Sequence, residues 1–227
     1  MHIPDYVVMA LIWAFPVLIA ITFHEVAHGY VAWRLGDDTA KRLGRLSLNP
    51  FRHIDLYGTV IVPALLILTV GFPFGWAKPV PVEFGRLQHP RRDMVWVAAA
   101  GPATNLALAV VSVFALYAVP LLPQMVGDWL YLVVRVFVQI NLILAVFNMI
   151  PIPPLDGGRV AVGLLPMPLA IRLARLERFG FLIIIAALFL LPWLGGEIGV
   201  NLNIFPWLVG APVDFLFRVI AGMAGFQ

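Results

Sequence analysis

Charge is absent from most of this chain in stretches as long as a bilayer is thick. Residues 6–23, 58–77, 94–127, 136–155, 179–196 and 198–213 contain no Asp, Glu, Lys or Arg. A helix of about 20 predominantly apolar residues crosses the hydrocarbon core, and only helices and closed barrels satisfy their backbone polar groups there. With 62% hydrophobic and 12% charged residues, against roughly 25% charged in soluble domains, the chain reads as an all-α polytopic membrane protein. The lipid bilayer is therefore its first partner. Cysteine is absent, which excludes disulfides and thiolate metal sites and leaves His, Asp and Glu as the ligands for any metal.

A sequence pI of 9.6 would suit a nucleic-acid partner, but the basic residues sit in loops between apolar stretches. Arg34, Lys41, Arg42, Arg45 and Arg52 follow the first stretch, Lys78, Arg86, Arg91 and Arg92 precede the third, and Arg159, Arg172, Arg175 and Arg178 follow Asp156. That pattern excludes a nucleic-acid surface and makes all three loops cytoplasmic by the positive-inside rule. The N-terminus is then outside. Its apolar run lacks a basic leader and a small-residue cleavage signature, so it reads as a permanent first helix.

Two consecutive basic loops flank residues 58–77, and a single crossing would put them on opposite sides. A re-entrant segment resolves the parity, with Pro63, Gly71, Pro73 and Gly75 interrupting it. The expected fold is five transmembrane helices plus this segment, with a short β element at its Pro-rich end, residues 76–84, as an exposed edge. Six full crossings are the alternative. One membrane-embedded domain spans 1–227, with a core at 4–156 and additional helices at 179–222, the last of which returns the C-terminus to the inside.

His24-Glu25-Val26-Ala27-His28 carries the chemistry. Histidines four apart on a helix project from one face and can share a zinc ion, with Glu25 beside them as general base. At about 1.5 Å per residue a helix starting near Pro4 has used about 30 Å by His24, so the motif sits near the cytoplasmic end. Three ionisable groups at that depth mark a functional site. A catalytic zinc needs a third protein ligand and an open position. His2 and Asp5 are at the opposite end, His53, Asp55 and His89 are in loops, and Glu197 is outside. Asp156 ends an apolar stretch that runs in the same direction as the first, which brings it to matching depth. The prolines of Asn148-Met-Ile-Pro-Ile-Pro-Pro-Leu-Asp156-Gly-Gly must break that helix. Asn105, in Gly101-Pro-Ala-Thr-Asn105, and Asn148 are amides inside spans. They either bond between helices or hold a substrate backbone or oxyanion.

In this order the motifs resemble the site-2 protease family of intramembrane metalloproteases. The resemblance covers most of the chain and is to a short, prokaryotic-type form without the PDZ or nucleotide-sensing domain of some relatives. It implies one zinc ion on His24, His28 and Asp156, Glu25 as general base, Asn148 at the scissile carbonyl and Asn105 as a substrate contact. It also implies a transmembrane-helix protein as substrate, cut near the cytoplasmic face. Residues 58–84 would be a membrane-inserted β region that pairs with the unwound substrate. A regulatory membrane partner is left unidentified.

Overall fold

The computed structural model describes residues 5–70 and 75–225. His2, Pro4, Gly71 and Pro73 lie outside the described residues. Helix α1 spans Asp5–Arg34 and α2 the short apolar Leu56–Thr69; then come α3, Pro90–Leu121, and α4, Gln124–Asn148. Two short helices follow, α5 (Asp156–Leu164) and α6 (Met167–Arg175). The last two are α7, Glu177–Glu197, and α8, Pro206–Met223. Among the described residues five helices, α1, α3, α4, α7 and α8, are long and apolar enough to cross a membrane. The protein is a multi-pass integral membrane protein.

Helices α1, α3 and α4 pack on one another and form the centre of the bundle. Ala20 of α1 meets Val136 and Ile140 of α4. Ala109 and Val113 of α3, Val134, Val138 and Leu142 of α4, and Val209 and Val213 of α8 form the largest buried cluster. Small and β-branched side chains at these contacts let the helices approach closely, as packing in lipid requires. Leu68, Trp193 and Trp207 point outward and are 84%, 61% and 77% exposed, which is where lipid tails replace water as the favourable neighbour.

Two expectations need correction. The first is the fold class. Among the described residues there is no β-strand, and residues 76–83 carry no regular secondary structure. Pro79 and Pro81 have no N–H to give a ladder, and the amides around them are used one at a time on scattered acceptors. Trp76 N–H donates to the Gly58 carbonyl and Lys78 N–H to that of His53, each at 2.9 Å. Val80 N–H goes to the Glu25 carboxylate and Glu83 N–H to Asp37, each at 2.7 Å. Backbone already committed inside the chain cannot present a regular edge. Nor is α2 among the described residues long enough to be a sixth crossing: over Leu56–Thr69, at about 1.5 Å per residue, it covers about 21 Å.

The second correction concerns the last helix. Tyr117, at the far end of α3, donates from its hydroxyl to the Ala224 carbonyl at 2.8 Å. The C-terminal end of α8 therefore lies beside the α3–α4 connection, opposite the His24–His28 level. Loop charge could not reveal this, because α8 is followed by too few charged residues to count.

Candidate metal centre

His24 and His28 face the bundle because positions four apart on α1 share one side, and α3 covers that side. Helix α3 comes close enough to do so because residue 101 is glycine: a Cβ there would lie 2.5 Å from His28 Nε2 and 2.6 Å from His24 Nε2. Asp156 is delivered differently. The chain breaks after Asn148 through Pro151, Pro153 and Pro154, and α5 restarts at Asp156. Gly157 and Gly158 let α5 fold back onto the end of α4, since a side chain at either would run into the backbone of Met149 or of Ile152 and Pro153. At the first turn of α5 the helix dipole favours the Asp156 carboxylate.

The three side chains converge. His24 Nε2 and His28 Nε2 are 3.0 Å apart, and Asp156 Oδ2 is 3.1 Å from the first and 3.3 Å from the second. All three residues are buried, at 6%, 9% and 6% exposure. Among the described residues they are the one group of three or more such side chains placed to hold a metal ion.

The hydrogen bonds behind the rings decide what this triangle is. His24 Nδ1 lies 2.6 Å from Asn105 Oδ1. Asn105 Nδ2 donates to Asn141 Oδ1 at 2.8 Å and to the Ala20 carbonyl at 3.2 Å, which fixes the amide so that Oδ1 accepts. His24 Nδ1 must be the donor. His28 Nδ1 donates to the Val97 carbonyl at 2.7 Å, since a carbonyl only accepts. In the neutral rings both Nε2 atoms therefore carry lone pairs, and these point at each other and at Asp156 Oδ2, a buried oxygen with no hydrogen-bond partner. Three electron-rich atoms so arranged repel unless a cation lies between them. Tetrahedral zinc with ligands at 2.0–2.2 Å sets its ligand atoms about 3.3 Å apart, so the donor set and spacing fit one such ion. Outer partners that hold the tautomer are what metal-ligating histidines normally have.

Glu25 is half-buried and accepts from Val80 N–H through Oε2, so the Pro-rich segment lies against it. Asn105 is fully buried, and its amide is used on His24, Ala20 and Asn141, not on an open surface. Asn148, at the end of α4, donates to the Leu144 carbonyl at 3.0 Å and so turns back along its own helix. The structure thus brings together His24, His28, Asp156 and, behind them, Asn105. Sequence reading missed Asn141, fully buried and donating to the Phe137 carbonyl at 2.8 Å. An amide inside the apolar stretch 136–155 was the available signal.

Gly101→Ala is expected to weaken metal binding about tenfold, since forcing a methyl into packed surroundings costs roughly 1–3 kcal/mol. Metal affinity by competition with a chromogenic chelator is the measurement, and unchanged affinity would mean that α3 yields easily.

The sequence model described as Peptidase family M50 matches residues 124–191, the part containing Asn148 and Asp156. YwhC of Bacillus subtilis (strain 168) is 40% identical over 180 residues, covering 77% of this chain and 78% of the relative. Rip2 of Mycolicibacterium smegmatis is 31% identical over 173 residues, covering 75% of this chain and 64% of its own length. MJ0611 of Methanocaldococcus jannaschii is 45% identical over 138 residues, covering 61% and 62%. The names of all three class them provisionally as zinc metalloproteases. No solved structure matches the chain.

Proposed function

Because this chain belongs to peptidase family M50 and is an intramembrane zinc metalloprotease of the site-2 type, we propose that His24 Nε2, His28 Nε2 and Asp156 Oδ2 hold a single zinc ion and that Glu25 is the general base. The observation that carries this reading is the convergence of three buried lone-pair-bearing atoms with their outward nitrogens already committed. A bound zinc ion supplies a Lewis acid for the peptide carbonyl and lowers the pKa of water toward about 7.

Glu25 takes the proton of the attacking water as its oxygen bonds to the carbonyl carbon. The same carboxyl then gives that proton to the departing amine as the C–N bond breaks. Asn105 orients His24 and, through Asn141, ties the ligand to α4. Asn148 is assigned to the scissile carbonyl, where an amide donor stabilises developing negative charge. Its Nδ2 spends one proton on the Leu144 carbonyl and has a second to donate. The substrate is a transmembrane helix of another protein, and it must unwind at the cut because its carbonyls are otherwise bonded internally. The N-terminus lies outside and the site near the cytoplasmic face of a prokaryotic cell membrane, a reading supported by the basic loops beside the His24 end of α1.

Purified protein in proteoliposomes with a single-span substrate tests the proposal. Cleavage should stop with a membrane-permeant chelator and return when zinc is added. Transfer of zinc across the vesicle without cleavage would make the cluster a transport site instead.

A further inference from the structure

We propose that Arg45 is a positioning residue for Glu25, acting through the peptide unit between Pro79 and Val80. The inference rests on Glu25 being the general base. Residues 78–82 read Lys-Pro-Val-Pro-Val, so the amide of Val80 is flanked by two residues that have none. Its proton goes to Glu25 Oε2 at 2.7 Å. The opposite end of the same peptide unit, the Pro79 carbonyl, faces the Arg45 guanidinium: Nη2 donates to it at 3.4 Å and to the Lys78 carbonyl at 2.8 Å. Nη1 of Arg45 donates to the Arg52 carbonyl. One peptide group therefore has a cation at its oxygen and a carboxylate at its N–H. Such an arrangement polarises the amide and strengthens the bond it donates.

The rest of this strap is fixed around that contact. Lys78 N–H donates to the His53 carbonyl at 2.9 Å, and the buried ring of His53 bonds through Nε2 to the Ser47 carbonyl at 2.8 Å. Val80 is 6% exposed and packs onto Gly29, the residue after His28, so closely that a Cβ there would lie 2.6 Å from its Cγ1. The loop 44–53, which carried no assigned role in the motif reading, thus acts as a scaffold that presses one N–H onto the base. With Oε2 pinned, Oε1 is the oxygen oriented for proton transfer. A flexible Glu left to sample its rotamers would spend less time in the reactive geometry, and displacements of about 1 Å at a catalytic group can cost about 100-fold.

The test uses the full-length protein in proteoliposomes, with zinc content, kcat and KM measured for one single-span substrate. Val80→Pro removes the donor proton and closes the side chain into a ring, whereas Val80→Ala keeps the proton and trims the side chain. Val80→Pro and Arg45→Gln should each lower kcat about 10- to 100-fold with zinc retained and KM little changed. Val80→Ala should lose clearly less than Val80→Pro, and Arg45→Lys, which restores the cation, should recover part of the Arg45→Gln loss. Equal losses in Val80→Ala and Val80→Pro would overturn the proposal, as would wild-type kcat in Arg45→Gln. If Val80→Pro loses zinc, the Arg45 pair decides alone. Glu25→Gln run alongside separates the two levels: if it is active, the assignment of the base fails. If it is inactive while the Arg45 and Val80 variants match wild type, only the positioning role fails.

Discussion

Glu25→Gln is expected to keep its zinc and to cleave a single-span substrate roughly 10²–10⁴-fold more slowly, the range that general acid–base catalysis contributes. The substitution is nearly isosteric. A glutamine carbonyl can still accept the Val80 N–H, so the strap should stay seated. Glu25 is not among the three converging side chains, so metal content should follow wild type. What is lost is the basic oxygen that accepts the proton of water. Metal analysis and initial cleavage rates on the same preparation make the comparison, and a variant that cleaves at the wild-type rate would remove Glu25 from the mechanism.

Asp156→Ala should fail one step earlier, at metal binding. Outer-sphere partners of zinc ligands typically change affinity 10–100-fold, so loss of a direct ligand should exceed about 100-fold. The fold should survive, because the outward bonds of His24 to Asn105 and of His28 to the Val97 carbonyl do not involve the carboxylate. Zinc occupancy after gel filtration, with circular dichroism to establish helicity, distinguishes this outcome from unfolding. Stoichiometric zinc in the variant would show that Asp156 is not the third ligand.

The parts legible in the sequence were those written in one-dimensional patterns. Gaps in charge gave the long helices, because burying a charge in lipid is costly wherever it falls. The spacing of His24 and His28 gave a shared face, and the common direction of two apolar stretches paired them with Asp156. The contacts that turn those residues into a centre were not legible. Val80 reaches Glu25, and Asn105 reaches His24, from different parts of the chain, and no local rule says which distant amide will meet which acceptor. The β element failed for a related reason. An extended Pro-rich stretch looks like an edge strand when its amides are taken as unspent, and here they are spent on the Gly58 and His53 carbonyls and on the Glu25 and Asp37 carboxylates.

Gly101 has one further consequence. Because the bare backbone of α3 rests against both imidazoles, that flank of the cluster is a wall, and a peptide cannot enter through it. For a protein floating in two dimensions this sets a bearing within the plane of the membrane: the α3 side is closed to a neighbouring helix. Which proteins are cut then depends on how they approach as well as on what they contain, and a single hydrogen in place of a side chain draws that map.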